Sequence, residues 1–495
     1  MLDKELLPGM KQAYARLGRV LVLGVGNSGR ALTEYLLNVA ASTPDRIDAI
    51  AVAYGDAPED ALVAFREWSA AHPDLITVSK DVEGEFDLCL ASPGISNLSD
   101  MYAAGRAASQ EIIGEVEFAW RESAASSKWA AITGTNGKTT TTALTAHLLQ
   151  QAGFKANAVG NIGDTCITAV ASGNTDVYVA EVSSYQLAST VDFRPDVAVL
   201  LNITPDHLSW HGTHEAYVEA KFKLLANLAK APEHDAVAVL DATNDTVRAK
   251  VRELKAIPDD ERGFAYVPLG AAGGLGCDMR EVCGSTNAAF VCDGHMHVAL
   301  NGAEYDLLHV NDLLLKGEHN VGNALAAATA ALALGASLEA AADGLASFHA
   351  LEHRIEYAGD VKGVACYNDS KATNVDAVLK ALTAFLPTRP YILLGGRDKG
   401  TDLTPLIDSC NENAQAAILY GESLPRFQEA FEKARTIPVH TAVHMEDALD
   451  TALGLAHEGD VVLLSPACAS FDEFSCFEER GRTFKQLVAD RAARA

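Results

Sequence analysis

The stretch from Trp129 to Thr142 constrains the fold more than any other part of this 495-residue chain. The apolar run at its start predicts a buried strand, and the residues from Thr140 to Gln151 have a helical pattern. Between them lies the tight loop Gly134-Thr135-Asn136-Gly137, followed directly by Lys138 and Thr139. A glycine loop that joins a strand to a helix N-terminus directs backbone N–H groups and the positive end of the helix dipole at an anion. The stretch therefore predicts an α/β domain with a phosphate site.

The residues at and after this loop have the chemistry of a nucleotide–Mg²⁺ site. Lys138 is placed to reach the outer phosphates, and the Thr139 hydroxyl is placed to bind Mg²⁺. Glu181 ends a predicted strand, Val177–Val182, and a carboxylate facing a phosphate loop suits a Mg²⁺ ligand. Asn161 offers a neutral amide near the same loop. The segment thus predicts one metal ion held beside bound phosphates.

His207 and Lys221 come later in the same predicted domain. His207 follows a strand predicted at Val197–Ile203, and ligands of open α/β sheets bind at the carboxyl ends of strands. Imidazole binds divalent metals and also hydrogen-bonds carboxylates, so His207 is predicted to contact a metal or the substrate. Lys221 lies in a predicted helix, Glu215–Ala229, and by itself it has the pattern of a solvated lysine.

The rest of the chain alternates predicted strands and helices, which is typical of parallel sheets covered on both faces. The first such strands are Arg19–Gly24, Ile47–Ala53 and Asp87–Ala91, and a helix is predicted over Glu111–Ser123. The length predicts about three domains at ~150 residues each. We place their boundaries at 1–114, 115–350 and 351–495.

Composition limits the partners and the compartment. The formal net charge of −27 argues against nucleic acid and anionic membranes as partners. No apolar run approaches the ~18–20 residues of a membrane span. Nine cysteines are scattered without a C-x-x-C pair, which predicts reduced thiols in a cytoplasmic protein.

The run Gly24–Gly29 matches G-x-G-x-x-G between a strand and a helix, and this leaves a second class of function open. It is a weak signal for a Rossmann-type dinucleotide site, and Asp56 lies close to where such a site needs an acid for the ribose. An NAD-dependent oxidoreductase is therefore one alternative. Two further alternatives are a phosphotransferase that uses the loop after Ile132 and a module that binds nucleotide without catalysis.

Several stretches together resemble the Mur ligase and folylpolyglutamate synthase superfamily. The loop G-T-N-G-K-T has two residues between its glycines where the usual P-loop has four, and His353-Arg354 is a second superfamily feature. The stretches Asn368–Asn374 (NDSKATN) and Ser465–Phe474 (SPACASFDEF) resemble the branch that adds D-glutamate. The resemblance covers the whole chain. It implies a Rossmann-like N-terminal domain, a central P-loop-type mononucleotide-binding ATPase domain and a Rossmann-like C-terminal domain.

The resemblance also implies a reaction. ATP phosphorylates the carboxylate of UDP-N-acetylmuramoyl-L-alanine, and the amine of D-glutamate attacks the acyl phosphate, with release of ADP and phosphate. Such an enzyme serves peptidoglycan precursor synthesis in the bacterial cytoplasm, here as a monomer. Two Mg²⁺ ions are implied, the second bound by His207 and by a carbamylated Lys221. Another amino-acid-adding ligase of the superfamily is the nearest alternative.

The resemblance further assigns residues to each ligand. The ATP site is implied to comprise Gly134, Thr135, Asn136, Gly137, Lys138, Thr139, Thr140, Asn320, Asn323, Arg354 and Asp369. Metal binding falls to Thr139, Glu181, His207 and Lys221, with Lys138, Asp369 and Lys371 as further catalytic groups. The UDP substrate is assigned to Asn27, Ser28, Ser92, Pro93, Gly94, Asn161 and Ser183, and D-glutamate to Thr373, Lys399, Ser470, Phe471 and Phe477.

Two places depart from the family pattern. The glycine-rich GGDGK stretch is Gly395-Gly396-Arg397-Asp398-Lys399 here, so Arg397 replaces the acid and Asp398 replaces the glycine. After the second predicted strand, Tyr54-Gly55-Asp56 matches the uracil-contacting acid only loosely.

Overall fold

A computed structural model describes residues 5–230, 235–270, 276–277, 283, 285–315, 317–349, 351–398 and 400–494. The chain forms two compact units, Met1–Asp312 with Gly322–Ala346 and Leu313–Val321 with Ser347–Ala495. Across the described ranges, no helix combines the length and the apolar character that crossing a membrane requires.

The first sheet contains the residues predicted to bind the UDP moiety. Its five strands are all parallel, in the order β3-β2-β1-β4-β5. Helices connect β1 to β2, β2 to β3 and β4 to β5, whereas residues 80–85 connect β3 to β4 without a helix. The strands are β1 (Gly18–Leu23), β2 (Ile47–Ala53), β3 (Ile76–Ser79), β4 (Phe86–Ala91) and β5 (Ser109–Gly114), and the helices are α1 (Asn27–Ser42), α2 (Val63–Ala71) and α3 (Asp100–Ala108).

The second sheet belongs to the same unit and contains the phosphate loop. Its order is β14-β13-β12-β11-β10-β9-β6-β8-β7, parallel from β7 to β12 and antiparallel in the last two pairs. Its strands are β6 (Lys128–Thr133), β7 (Ala156–Gly160), β8 (Val177–Glu181), β9 (Val197–Leu200), β10 (Val237–Asp241), β11 (Ala265–Gly270), β12 (Ala288–Cys292), β13 (His295–Leu300) and β14 (Ala303–His309).

The helices that follow the first sheet run through this part of the chain. They are α4 (Glu115–Glu122), α5 (Lys138–Gln151), α6 (Cys166–Ser172), α7 (Ser184–Ala188), α8 (Leu208–His211), α9 (His214–Phe222), α10 (Asp245–Lys255), α11 (Asp259–Arg262), α12 (Glu318–Ala333) and α13 (Leu338–Ser347).

The third sheet lies in the second unit. Its order is β15-β16-β20-β17-β18-β19, and only β15 runs antiparallel. The strands are β15 (Glu356–Val361), β16 (Val364–Asn368), β17 (Tyr391–Gly395), β18 (Ala416–Tyr420), β19 (Val439–Thr441) and β20 (Val461–Leu464). The helices are α14 (Val375–Thr383), α15 (Thr404–Asn413), α16 (Leu424–Ala434), α17 (Met445–Leu455) and α18 (Phe477–Arg494).

Three parallel or mixed sheets confirm the predicted α/β class. The strands of each sheet fall within one predicted domain, although the boundaries themselves stay a prediction. The helix predicted over Glu111–Ser123 is wrong in its first turn, where β5 ends at Gly114 and α4 begins at Glu115. Ile112 and Ile113 pair with Cys89 and Leu90 of β4, so their side chains complete the sheet edge.

Two further expectations need correction. The helix predicted over Glu215–Ala229 ends at Phe222, and short 3-10 turns continue the chain. Cys277 and Cys292 form a disulfide with Cα atoms 5.1 Å apart, so the prediction that all nine cysteines are thiols is wrong. Their 15-residue separation matches no short cysteine motif, which is why the sequence did not reveal the pairing.

Helix α4 connects the first two sheets through polar groups that are buried along its whole length. The Glu115 carboxylate accepts from the backbone N–H of Ile167 at 2.7 Å, at the start of α6. The Glu117 carboxylate accepts from the N–H groups of Val191 and Asp192. Each acid thus satisfies backbone donors of the second sheet's loops.

The C-terminal end of α4 is bonded to side chains from the segments around the first sheet. The Arg46 guanidinium donates to both Glu122 oxygens, at 2.6 and 2.7 Å, and both side chains are at least 96% buried. Tyr35 also donates to Glu122. Because both charges are desolvated, the pair is costly to break from one side only.

We expect Arg46→Met to destabilise this unit by about 3–5 kcal/mol, because it leaves Glu122 charged and unpaired in the interior. The midpoint of urea unfolding, followed by circular dichroism, measures the effect. Arg16→Met is the matched control, since Arg16 pairs with Asp48 at the surface, and it is expected to cost less than about 1 kcal/mol. Equal small shifts of the unfolding midpoint in the two variants would contradict the conclusion that the buried Arg46–Glu122 pair stabilises this unit.

Candidate active site

The phosphate loop is fixed to the end of strand β9 by reciprocal hydrogen bonds. The N–H of Asn136 donates to the side-chain oxygen of Asn202 at 2.8 Å, and the Asn202 amide returns a bond to the carbonyl of Asn136 at 3.1 Å. The backbone N–H of Thr135 donates to the carbonyl of Asn202 at 2.7 Å. These three hydrogen bonds fix the backbone of the loop against the end of the strand.

Gly137 closes the loop and caps helix α5 in a left-handed conformation with φ of 84°. A Cβ atom there would lie 2.4 Å from the side-chain oxygen of Asn323, a separation that real atoms do not reach. The contact also places Asn323, predicted to bind the nucleotide, against the loop. Only glycine satisfies both the backbone angle and the close approach.

The loop lies where the strand order of the sheet reverses. Strand β6 has β9 on one side and β8 on the other, and its residue Ile132 pairs with Glu181 at the end of β8. Such a switch point is where open α/β sheets bind ligands. The ammonium of Lys138 donates to the carbonyls of Gly134 and Thr135 at 2.9 Å.

Glu181 has a carboxylate oxygen that no described residue satisfies. Its Oε1 accepts from the amide of Asn161 at 2.8 Å, whereas its Oε2 is buried without a hydrogen-bond partner in the part of the chain that the structure describes. A buried, unpaired carboxylate oxygen is costly unless a cation or a donor completes it. This oxygen is a suitable ligand for a hard divalent cation. The contact with Asn161 agrees with the prediction that its amide lies near the phosphate loop.

Lys221 is buried to 1% exposure, contrary to the solvated lysine that its own sequence context suggests. Its Nζ donates to the carbonyl of Gly134 at 2.8 Å and to the Thr133 hydroxyl at 3.3 Å, and it lies 4.9 Å from the ring centre of Tyr217. Burial, reinforced by the nearby Lys138 charge, holds the pKa of Lys221 well below its usual value. Burial of this kind favours the neutral form of an amine over its charged form.

His207 lies on the other side of Tyr217, with the two ring centres 6.2 Å apart. Its backbone is left-handed, with φ of 54°, at the start of α8. Tyr217 in turn shares a 2.8 Å hydrogen bond with the Thr135 hydroxyl. The structure thus brings four of the predicted residues to one place beside the loop: Lys138, Glu181, His207 and Lys221.

The predicted UDP contacts also converge. Gly24 and Gly29 bring the turn after β1 close to helix α1, since a Cβ atom at Gly29 would lie 1.9 Å from the carbonyl oxygen of Gly24. Asn27 and Ser28 form the first turn of α1. The turn Ser92-Pro93-Gly94 follows the adjacent strand β4, and the Ser92 side chain packs at Gly24. Ser183 is elsewhere, where it caps α7.

In the second unit, Asp369 is buried at the end of β16. Its carboxylate accepts from the Ser465 hydroxyl at 2.7 Å and from the N–H of Ile355 at 3.3 Å. Burial raises the pKa of Asp369 to about 7, although the hydrogen bond from Ser465 and the charge of Arg354 oppose the shift. The bond to Ile355 holds the loop that carries Arg354 against β16.

The residues predicted for D-glutamate are partly assembled in this unit. The Lys371 ammonium lies 3.8 Å from the ring centre of Phe477, and Thr373 donates its N–H to the carbonyl of Lys371. Ser470 is buried, whereas Phe471 has 59% of its surface exposed. Asn320 is also in this unit, in the first turn of α12. Lys399 lies outside the described residues.

Each residue that departs from the family's glycine-rich pattern has an ion-pair partner. Arg397 pairs with Glu422 at 3.1 Å, and Asp398 pairs with Arg426 at 2.5 Å. Arg397 and Ala469 exchange backbone hydrogen bonds of 2.8 and 3.0 Å. The segment before Lys399 is therefore tied to the loop that carries Ser470. At the other departure, Asp56 pairs with Lys80 at the surface.

Comparison with known proteins agrees with this geometry. The Mur ligase middle domain matches residues 132–331, and the Mur ligase glutamate ligase domain matches residues 353–468. The UDP-N-acetylmuramoylalanine--D-glutamate ligase of Thermoanaerobacter pseudethanolicus is 35% identical, covering 95% of this chain and 98% of the relative. That of Koribacter versatilis is 37% identical, covering 96% and 98%.

The chain belongs to the Mur ligase family. A pseudomurein peptide ligase type C from Methanothermus fervidus shares its fold, with a TM-score of 0.55 at 17% identity, over 95% of this chain and 99% of that one. The family and the three-sheet α/β architecture predicted from the sequence are thereby confirmed.

Four side chains of this Mur ligase's site were not predicted. Asn202 fixes the loop, Tyr217 links the loop to Lys221 and His207, and Tyr185 hydrogen-bonds His207. His211 is buried and shares a 2.9 Å bond with the Ser184 hydroxyl, and burial, with smaller effects from the nearby His207 and Lys221, lowers its pKa to about 4. Only Asn202 had a usable signal, because it directly follows a strand at the same sheet edge as the loop.

We expect Gly137→Ala to weaken ATP binding at least ~10-fold, because the new Cβ clashes with Asn323 and forces a left-handed alanine at a cost of roughly 1–2 kcal/mol. Isothermal titration calorimetry with ATP measures the loss. Gly153→Ala is the control, since it has the same backbone angle with open space around it. Wild-type affinity in Gly137→Ala would contradict the role assigned to the loop.

Proposed function

We propose that this Mur ligase joins D-glutamate to UDP-N-acetylmuramoyl-L-alanine, with ATP converted to ADP and phosphate, as a step of peptidoglycan precursor synthesis. The observation that carries the proposal is the phosphate loop with a buried lysine beside it and a carboxylate oxygen that no described residue pairs with. The curated relatives, which align over nearly the whole chain, support D-glutamate as the acceptor.

The donor set beside the loop fits magnesium. Thr139 and Glu181 would hold one ion and His207 with a modified Lys221 the second, through oxygen and imidazole ligands. Bound Mg²⁺ would neutralise phosphate charge and stabilise the charge that develops on the transferred phosphoryl group. The unpaired Oε2 of Glu181 is the observation in this structure that supports such a site.

Lys221 is proposed to carry a carbamate. Its neutral nitrogen would attack the carbon of CO₂, forming an N–C bond and releasing one proton to solvent. The product replaces a buried cation by an anionic oxygen ligand, which suits a site that also contains the charge of Lys138. Burial lowers the pKa of Lys221, which raises the fraction of the amine that is neutral.

The substrate carboxylate and the γ-phosphate are both anions and repel each other as they approach. The protein's own groups would offset this repulsion. The loop N–H groups and the N-terminus of α5 bind phosphate oxygens, and Lys138 leaves its own loop carbonyls to contact the outer phosphates. Thr140, Asn320, Asn323, Arg354 and Asp369 are proposed to complete the nucleotide contacts.

The nucleotide-linked substrate and D-glutamate are proposed to bind at separate places. Asn27, Ser28 and the Ser92–Gly94 turn would bind the UDP moiety, with Asn161 and Ser183 nearer the phosphate loop. Thr373, Lys399, Ser470, Phe471 and Phe477 would hold the amino acid, with Lys371 nearby, and the cationic Lys399 suits a substrate with two carboxylates. The enzyme is proposed to act as a cytoplasmic monomer.

Phosphate release tests the function. We expect release only when ATP, UDP-N-acetylmuramoyl-L-alanine and D-glutamate are all present, because the acyl phosphate needs both the nucleotide substrate and an amine. L-glutamate, L-lysine and meso-diaminopimelate are the comparison acceptors. Release with one of these in place of D-glutamate would contradict the assigned acceptor, and release without any amine would indicate a phosphotransferase instead.

The carbamate has a direct test. After equilibration with ¹³C-bicarbonate, we expect the wild type to give a carbamate resonance that Lys221→Ala lacks, and the variant to lose on the order of 10²-fold in rate or more. Lys223→Ala is the control, since Lys223 is a half-buried neighbour that bonds the carbonyl of Ala188. A carbamate resonance that survives in Lys221→Ala would exclude modification of Lys221.

A further inference from the structure

Tyr185 contacts the imidazole of His207 in a way that packing alone does not require. Its hydroxyl lies 2.7 Å from Nδ1 of His207, and the two rings meet edge to face with centres 4.8 Å apart. The His207 side chain is 41% exposed and extends from a left-handed residue at the start of the four-residue helix α8.

Tyr185 is itself well held. Its ring stacks on Trp210, with ring centres 4.5 Å apart and planes 22° from parallel. The carbonyl of Trp210 accepts from the Ser96 hydroxyl at 3.1 Å, in the loop that follows the Ser92–Gly94 turn.

We infer that Tyr185 is a positioning residue that fixes the tautomer and the orientation of His207 for a divalent cation. The hydroxyl oxygen of Tyr185 accepts the Nδ1–H of His207, and Nε2 then carries the lone pair. Histidines that bind metals donate their other ring N–H in this way, and the partner raises the basicity of the ligand. The inference rests on the proposed function, since it takes His207 as a metal ligand.

The surroundings of Nε2 are consistent with a cation. The nearest carboxylate is that of Asp206, whose Oδ2 lies 3.6 Å from Nε2 while its Oδ1 accepts the backbone N–H of His207 at 2.8 Å. The Asp206 carboxylate therefore fixes the backbone of His207, and Tyr185 fixes the opposite edge of the ring. A cation at Nε2 would meet an imidazole held from two directions.

Tyr185→Phe separates positioning from packing, because it keeps the ring that stacks on Trp210 and removes only the hydroxyl. We expect the variant to bind Mn²⁺ about 10–100-fold more weakly at one class of site, as loss of an outer partner does at other histidine–metal sites. Electron paramagnetic resonance titration of the full-length protein with Mn²⁺ alone measures this without turnover. In the ligase assay, the Mg²⁺ concentration for half-maximal rate should rise while the rate at saturating Mg²⁺ recovers.

Tyr391→Phe is the matched control, since it removes a hydroxyl that bonds a backbone carbonyl, that of Leu455, in the second unit. We expect this variant to bind Mn²⁺ like the wild type. The His207→Ala variant identifies which class of Mn²⁺ site is affected, because it should lose Mn²⁺ binding at that class altogether. Thermal unfolding of each variant checks that the fold is retained.

The tautomer provides a second readout. With ¹⁵N-labelled histidine, long-range proton–nitrogen spectra should show His207 protonated at Nδ1 in the wild type, and this pattern should be lost in Tyr185→Phe. The His207→Ala variant assigns the signal.

The outcomes separate the inference from the proposed function. Unchanged Mn²⁺ affinity and an unchanged tautomer in Tyr185→Phe would overturn the role of Tyr185. Wild-type Mn²⁺ binding in His207→Ala would overturn it as well, by removing His207 from the ligands. Phosphate release that depends on D-glutamate in the wild type tests the ligase activity independently of both results.

Discussion

The reciprocal amide pair between Asn136 and Asn202 is the interaction on which the active site depends. It fixes the phosphate loop to the end of strand β9, so the loop N–H groups are oriented before any nucleotide arrives. Preorganised donors stabilise developing charge without the cost of reorientation during the reaction. The left-handed Gly137 and its close approach to Asn323 belong to the same framework, and Lys221 donates to the carbonyl of Gly134.

The second constraint is the burial of charge around this loop. A lysine at 1% exposure, a carboxylate oxygen without a described partner and a histidine with a pKa near 4 lie within one cluster. None of these is favourable for stability by itself. Together they suit the proposed site, in which cations and an anionic modification of the lysine would complete the cluster. Perturbed ionisable groups of this kind concentrate at functional sites.

Much of this site could be predicted from the sequence, because its main parts follow strands. Lys138 and Glu181 were recognised from a loop and a strand end, where the chain direction alone fixes the edge of the sheet on which side chains meet. Lys221 could not be recognised from its own context, since its burial arises from tertiary packing around Tyr217. Tyr185 lies on the five-residue helix α7, which is too short to give a periodic pattern.

The errors in the fold have similar causes. The residues Glu111–Gly114 form an edge strand instead of the helix that was predicted, because pairing with β4 outweighs the local pattern. The disulfide between Cys277 and Cys292 depends on a spatial approach that no short motif encodes. Family resemblance supplied the residues of the second unit, which lie on loops whose contacts no periodicity describes.

Helix α4 has a consequence for substrate choice. Its buried acids join the first two sheets, so the distance between the Ser92–Gly94 turn and the phosphate loop is set by hydrogen bonds and not by the substrate. For the function proposed here, this fixed distance would select substrates by their length. A nucleotide-linked acid of the right length delivers its carboxylate to the γ-phosphate, whereas a longer peptide stem would carry its terminal carboxylate past it. Selection by length would then precede any recognition of the side chain.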